Sequence, residues 1–165
     1  MATPWRTDGS VERFIDTSPD QVYNRVSNVA GTSSSSLECR SCEWLPGAAP
    51  GTVGSQFRGR NRHRLVRWSR VCEVVIADPS EAFAFRTVPE RIDISRRDST
   101  TWGYRLTPQD SGTLVTHYYE ITQPPLRPFK KVYGLLLPHH RDMRPHMAHT
   151  LEVLKAELEQ TSVTS

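Results

Sequence analysis

The sequence has no long apolar segment and little cysteine. None of its apolar runs approaches the ~18 residues that a membrane-spanning helix needs. The first residues, MATPWRTDGS, lack the apolar core of a secretion signal. The chain contains three cysteines, and this low, odd number argues against a disulfide framework and fits a reducing compartment. We therefore expect a protein of the cytoplasm that does not span a membrane.

The sequence also lacks the short motifs of common cofactor and catalytic sites. It contains no G-x-S-x-G elbow, phosphate-binding loop, dinucleotide fingerprint or H-E-x-x-H pair. We therefore predict no cofactor and no metal. The net charge of +3 and the pI near 8.9 are mildly basic. This is weak evidence for nucleic-acid binding, so nucleic acid is not expected as a partner.

Aromatic residues compensate for a low apolar content. Apolar residues make up 36% of the chain and the mean hydropathy is −0.54, but four Trp, five Tyr and five Phe supply core volume. A length of 165 residues is enough for one domain with a substantial core. We expect a single domain over residues 1–165, monomeric or homodimeric, with flexible ends at residues 1–8 and 161–165.

A long amphipathic helix is predicted near the C-terminus, from Pro138 to Gln160. Its apolar residues recur at helical spacing and form one stripe. Because strands precede this helix, the stripe must be buried on the sheet that those strands build. The stripe consists of Met143, Met147, Leu151, Leu154 and Leu158.

Segments of alternating polarity before that helix predict about seven strands. The first strand ends near Ile15, and Ser18 then caps a short helix that has Pro19 at its first position. The serine-rich stretch from Gly31 to Ser36 is interpreted as a turn. The order of strand, one or two short helices, about six strands and a long helix predicts an α+β fold with one antiparallel sheet.

Strand alternation places seven aromatic residues on the face of the sheet that meets the long helix. Such a face is either a filled core or the wall of a cavity that carries a few polar groups. The pattern alone favours a filled core. The aromatic residues of this face are Phe57, Trp68, Phe83, Phe85, Trp102, Tyr104 and Tyr119.

The order and spacing of several segments resemble the START-like (SRPBCC) superfamily, in its polyketide cyclase/dehydrase branch. The resemblance covers residues 11 to 160. It implies a helix-grip fold, in which a curved antiparallel sheet folds around the C-terminal helix and leaves an internal apolar pocket. Members of the superfamily bind lipids, sterols, polyketides or hormones, and a minority are cyclases or dehydratases. The segments are VERFIDTSPDQVYNRVSNV, CEWLPG, VGSQFRGRNR, RWSRVCEVVIADPSEAFAFR, TTWGYRL, GTLVTHYYE and MAHTLEVLKAELE.

The resemblance favours the cavity, and with it two hypotheses of function. The first is a protein that binds or carries an apolar small molecule, with Arg70, His117 and Tyr104 holding its polar end. The second is a cyclase or dehydratase that uses the same pocket, with His117, Tyr104 or His140 as acid–base groups. The predicted ligand-binding residues are Phe57, Trp68, Arg70, Phe83, Phe85, Trp102, Tyr104, His117, Tyr119, His140, Met143 and Met147.

A third hypothesis is an interaction module that uses clustered arginines. Arg58, Arg60, Arg62 and Arg64 share the strand face opposite Phe57, where a solvated outer surface is the simpler interpretation. Binding through this surface would weaken at high salt.

Two further patterns indicate metal or redox chemistry only weakly. One helical flank carries histidines, but Pro145 disturbs the helix there, and a zinc site prefers ligands from more than one element. The pair Cys39-x-x-Cys42 lies in a predicted strand, where its odd spacing sends the two thiols to opposite faces. The polar residues of the flank are His139, Asp142, His146 and His149.

Overall fold

The computed structural model describes residues 4–163. Part of each chain end that we expected to be flexible, residues 1–3 and 164–165, lies outside the described residues. The seven strands of the described part are β1 Asp8–Ile15, β2 Cys39–Trp44, β3 Gln56–His63, β4 Val66–Asp78, β5 Ala82–Thr87, β6 Ser99–Gln109 and β7 Gly112–Gln123. The α-helices are α1 Pro19–Ser27, α2 Thr32–Ser35, α3 Arg127–Leu136 and α4 Arg144–Val163, and 3₁₀ helices span Val29–Gly31, Ile94–Arg96 and Pro138–Arg141.

The strands form one antiparallel sheet in the order β1-β7-β6-β5-β4-β3-β2. The first strand therefore lies beside the last, and β1 pairs with β7 in a register that sets Val11 opposite His117. The predicted α+β class and the single antiparallel sheet are confirmed. The curved sheet wraps around α4, as the helix-grip fold requires.

The helix α4 buries the part of the apolar stripe from Met147 to Leu158 against the sheet, as predicted, whereas Met143 is buried just before the helix begins. Met147, Leu151 and Leu154 are all at most 2% exposed. The predicted start of this helix at Pro138 is wrong. The segment Pro138–Arg141 is a 3₁₀ helix, Asp142 has extended backbone angles, and α4 begins at Arg144.

Proline chemistry explains where α4 begins. Pro145 has no N–H to donate, and its ring would clash with the carbonyl four residues earlier in a continuous helix. It is tolerated in the first turn of a new helix. The carboxylate of Asp142 accepts a hydrogen bond from the Arg144 backbone N–H at 3.2 Å, which satisfies one of the free donors at this start.

The first short helix follows its predicted signals. Ser18 has extended backbone angles and its hydroxyl accepts a hydrogen bond from the Gln21 backbone N–H at 3.4 Å, while Pro19 occupies the first helical position. The serine-rich stretch differs from the predicted turn, because Thr32–Ser35 forms the single helical turn α2. Its last residue, Ser35, is buried.

The arginines of β3 lie on the outer face of the sheet. Phe57 and Gly59 are buried, whereas Arg60 and Arg62 are exposed. Arg60 forms an ion pair with Glu43 of the neighbouring strand at 2.6 Å, in which both side chains are about half exposed. Ion pairs of this kind contribute little to stability. Among residues 4–163, no helix combines the length and apolar character needed to cross a membrane.

Candidate ligand-binding cavity

A cavity of about 240 Å³ lies between the concave face of the sheet and α4. Alternation along the strands builds its walls, because every second side chain faces the helix. From β3 these are Phe57, Gly59 and Asn61, and from β4 they are Trp68, Arg70 and Cys72. Met143 and Met147 close the cavity from the helix side.

Aromatic rings in edge contact form one wall. The ring of Phe57 contacts Phe85 at a centroid distance of 5.2 Å and an angle of 75°. Trp68 contacts the ring of His140 in a similar edge geometry at 5.8 Å. Such contacts hold the rings in fixed orientations. This wall is therefore largely aromatic.

A histidine and a tyrosine supply polar groups inside the cavity. The ring of His117 stacks on the ring of Tyr104 with 4.1 Å between the centroids. His117 Nδ1 lies 2.9 Å from the carbonyl oxygen of Gly103, which can only accept, so Nδ1 donates the hydrogen. Burial lowers the pKa of His117 to about 4 and raises the pKa of the Tyr104 phenol. At neutral pH both groups are therefore uncharged.

Arg70 brings the one guanidinium of the predicted site to the cavity wall. Its side chain is 12% exposed, and Nη1 donates to both carboxylate oxygens of Asp98, at 2.9 and 3.0 Å. Nη2 donates to the backbone carbonyl of Asp98 at 2.7 Å. The carboxylate of Asp98 thus compensates the positive charge of the buried Arg70 guanidinium.

The segment before β2, which contains Glu38, meets the 3₁₀ helix Pro138–Arg141 at the edge of the cavity. His139 and His140 both donate from Nε2 to Glu38 Oε1, at 2.9 Å for His140. Burial lowers the pKa of His139 to about 4. Burial alone would raise the pKa of Glu38, but the hydrogen bond from His140 and the adjacent imidazoles outweigh it and lower that pKa. Glu38 is therefore a carboxylate at neutral pH.

The two cysteines of β2 lie on the same face, which contradicts the prediction of opposite faces. The pairing of β2 with β3 shifts register between Cys39 and Ser41, as a β-bulge does. The extra residue restores both thiols to the concave side. Their Sγ atoms are 3.3 Å apart, and both residues line the cavity.

The structure brings most of the predicted ligand-binding residues together. Two of them lie outside the cavity lining. Phe83 is fully buried and packs beside α1, with its ring 6.3 Å from that of Tyr23. Tyr119 packs with Met143 and Met147 in a small core cluster. The predicted residues that line the cavity are Phe57, Trp68, Arg70, Phe85, Trp102, Tyr104, His117, His140, Met143 and Met147.

Several lining residues were not predicted. Trp5 reaches the cavity from the N-terminal segment before β1, which we expected to be flexible. The backbone N–H of Arg6 donates to the Arg141 carbonyl at 2.8 Å. Thr150 lines the cavity from α4 and Asp98 from the segment before β6. For Trp5, the sequence signal was a large aromatic residue close to the N-terminus.

These features define a class of protein: a helix-grip domain in which a curved antiparallel sheet and a C-terminal helix enclose a cavity. A family model described as polyketide cyclase / dehydrase and lipid transport matches residues 6–159. The chain belongs to this family, as the resemblance implied.

Solved structures share the fold at low sequence identity. The protein TTHA0849 from Thermus thermophilus is 17% identical, with a TM-score of 0.69 over 94% of this chain and 99% of that protein. The di-domain ARO/CYC StfQ from the steffimycin biosynthetic pathway is 12% identical, with a TM-score of 0.70 over 94% of this chain and 51% of that protein. The Polyketide_cyc-like protein Cgl2372 from Corynebacterium glutamicum is 25% identical, with a TM-score of 0.58 over 96% of this chain and 93% of that protein. No curated protein sequence matches this chain significantly.

Proposed function

We propose that this protein binds a small apolar molecule, such as an aromatic metabolite or a short polyketide, in the cavity between the sheet and α4. The observation that carries the proposal is the cavity itself, whose wall is formed largely by aromatic and apolar side chains. Concave apolar sites with a few polar groups are the usual form of small-molecule sites. The family description, which includes polyketide cyclases and lipid transport, agrees with this kind of ligand.

The volume of the cavity favours a small ligand. About 240 Å³ falls below the ~300–1,000 Å³ of pockets that hold drug-sized ligands. A ligand with one or two rings, or one short chain, would fill this space. A lipid with two long acyl chains would not fit within it.

The polar groups of the cavity would orient the ligand. With Nδ1 of His117 donating to Gly103, the neutral imidazole keeps Nε2 as an acceptor for a ligand hydroxyl. The Tyr104 phenol is both a donor and an acceptor. Arg70 is already paired with Asp98. We therefore assign the main orienting role to His117 and Tyr104.

Calorimetric titration with 2-naphthol, a two-ring probe with one hydroxyl, tests the proposal. A larger residue at Gly59 would narrow the cavity without a clash, because a Cβ at this position would meet only Cys42 Sγ, at 3.7 Å. The variant Gly59→Val adds volume to the cavity wall without backbone strain. Arg60→Val, on the exposed face of the same strand, is the control.

We expect saturable binding of 2-naphthol by the unmodified protein and by Arg60→Val. We expect Gly59→Val to bind at least about tenfold more weakly, because the added side chain takes up volume in the cavity. A tenfold loss corresponds to ~1.4 kcal/mol of binding free energy. Equal affinity in both variants, or no binding by the unmodified protein, would overturn the proposal.

A second candidate function is cyclisation or dehydration of a polyketide in the same cavity. The observation that favours it is the uncharged imidazole of His117, stacked on a protonated phenol. A neutral imidazole is free to accept a proton, although the lowered pKa of His117 makes it a weak general base, and a phenol can stabilise a developing oxyanion. Incubation with a linear triketone tests it. Product formed by the unmodified protein but not by His117→Ala, with the triketone at saturating concentration for each, would identify an enzyme, whereas binding without any product supports a carrier.

A further inference from the structure

Three side chains with metal-binding donors converge at the edge of the cavity. Glu38 precedes β2, His139 lies in the 3₁₀ helix Pro138–Arg141, and His146 lies in the first turn of α4. One carboxylate oxygen of Glu38 and one ring nitrogen of each histidine all lie within 4.8 Å of one another. We call these three residues the His–Glu cluster. Its members come from three elements and are up to 108 positions apart in the numbering of the chain.

Surrounding contacts hold the members of the cluster in place. The rings of His139 and His146 stack with 4.4 Å between the centroids and 9° between the planes. The ring of His63, at the end of β3, packs on His139 at the same centroid distance. His140 donates from Nε2 to Glu38 at 2.9 Å, which fixes the carboxylate. The side chains of Glu38 and His139 are only 21% and 12% exposed.

We propose that Glu38, His139 and His146 form a site for a divalent transition-metal ion, with zinc the best match. Two imidazole nitrogens and one carboxylate oxygen are a common set of three protein ligands for zinc, whereas calcium and magnesium prefer oxygen ligands alone. Bonds of ~2.0–2.2 Å in a tetrahedral site place donors roughly 3.4 Å apart. Metal binding would therefore draw the three donors, which now lie within 4.8 Å of one another, closer together.

The sequence pattern argued against a zinc site because the histidines lie on one helical flank, and the His–Glu cluster removes this argument. The histidines of one helical flank are a poor zinc site by themselves, but Glu38 supplies a ligand from another part of the fold. His149, on the same flank, is exposed and lies outside the cluster. The ion would replace the hydrogen that His139 Nε2 donates to Glu38.

The position of the cluster connects it with the cavity. Glu38 and His146 also line the cavity, so a bound ion would lie at its wall. Three protein ligands leave one position of a tetrahedral zinc for water or for an oxygen atom of another molecule. This inference does not depend on the identity of the cavity ligand, because its test measures the ion.

The experiment uses the full-length protein after treatment with EDTA and removal of the chelator. Zinc chloride is titrated by calorimetry, and the zinc retained after gel filtration is measured by plasma mass spectrometry. We expect one zinc per chain. Glu38→Gln and His146→Gln should each weaken binding by at least about tenfold, since even changes outside the ligand shell cost ~10–100-fold. His149→Gln, on the same helix, should bind as the unmodified protein does.

The neighbouring thiols of Cys39 and Cys42 are the competing zinc ligands, because zinc also binds thiolates. The double variant Cys39→Ser/Cys42→Ser should retain one zinc per chain. Cobalt(II) added to the unmodified protein should give visible absorption bands without a thiolate-to-cobalt charge-transfer band, a readout that needs no variant. Absence of zinc binding, unchanged affinity in Glu38→Gln and His146→Gln, or loss of binding in the double cysteine variant would overturn the proposal.

Discussion

The imidazole ring of His117 lies flat against the phenol ring of Tyr104, with 4.1 Å between the ring centroids and 4° between their planes. Both residues are buried in neighbouring strands and face the cavity. Backbone pairing sets them directly opposite each other in β6 and β7. The two polar groups of the proposed site are therefore positioned by the sheet itself.

Burial of His117 makes the stability of the fold depend on pH. Its pKa is about 4 in the folded protein, against 6.5 for an ordinary histidine. Between these values the unfolded chain binds more protons than the folded one, so stability falls as the pH drops from 6.5 towards 4. The stabilising contribution of His117 is fully present above pH 6.5. The loss from this residue should reach about 2 kcal/mol between pH 7.5 and pH 5.

Urea unfolding of the unmodified protein and of His117→Gln at these two pH values measures this contribution. The drop in stability on acidification should be smaller in His117→Gln by about that amount. The other histidines contribute equally to both proteins and cancel in the comparison. An equal drop in both proteins would show that His117 is not buried in its neutral form.

The ion pair of Arg70 and Asp98 should be costly to break. Both side chains are largely buried, and removal of one charge leaves the other without compensation. Asp98→Asn should lower the free energy of unfolding by about 2–4 kcal/mol. Glu43→Gln, which removes the partner of the exposed Arg60, should cost less than about 1 kcal/mol. Chemical denaturation measures the free energy of unfolding of both variants. A loss in Asp98→Asn as small as that in Glu43→Gln would show that the Asp98 carboxylate is exposed to solvent.

The apolar stripe of α4 should carry much of the stability of the fold. Leu151 is 1% exposed and packs in the main core cluster. Leu151→Ala should destabilise the protein by about 3 kcal/mol, because the lost burial and the new cavity add together. Leu135 of α3 is 80% exposed, and Leu135→Ala should change stability by less than about 0.5 kcal/mol. A small effect at Leu151 would contradict the packing of α4 against the sheet.

The β-bulge of β2 predicts a reactive pair of thiols. The hydrogen bond between the thiols lowers the pKa of Cys39 and raises that of Cys42, so Cys39 should supply the attacking thiolate. Treatment with diamide should oxidise the pair to one intrachain disulfide, with two hydrogens transferred to the diamide. Intact-mass and peptide mass spectrometry should locate it between Cys39 and Cys42.

Two variants sharpen this measurement. Cys72→Ser should form the disulfide as the unmodified protein does, whereas Cys42→Ser should not. If diamide leaves Cys39 and Cys42 free to react with iodoacetamide in the folded protein, the two thiols do not share a face and the bulge is wrong.

Local signals in the sequence predicted the elements, but not every position within them. The cap at Ser18 and the stripe from Met147 to Leu158 follow from short-range chemistry, and both are confirmed. Strand parity gave the correct face for Phe83, yet parity does not tell how far along the strand the cavity extends. Phe83 therefore lies in the core beside α1.

Other features depend on contacts between distant segments. The bulge at β2 inverted the face of one cysteine, and a single inserted residue leaves no clear pattern in the sequence. Glu38 meets His139 across 101 positions, so no local spacing could reveal the His–Glu cluster. The cavity followed from the family resemblance, because alternation alone indicated a filled core.

The most direct test of the cavity as a binding site is carbon-13 NMR of the methionine methyl groups during titration with 2-naphthol. The chain has three methionines, and single substitutions to leucine would assign their signals. Met143 and Met147 both line the cavity. Binding in the cavity predicts that both signals shift and saturate together, with the dissociation constant found by calorimetry. Heat of binding without a shift of either signal would place the probe elsewhere and contradict the proposed site.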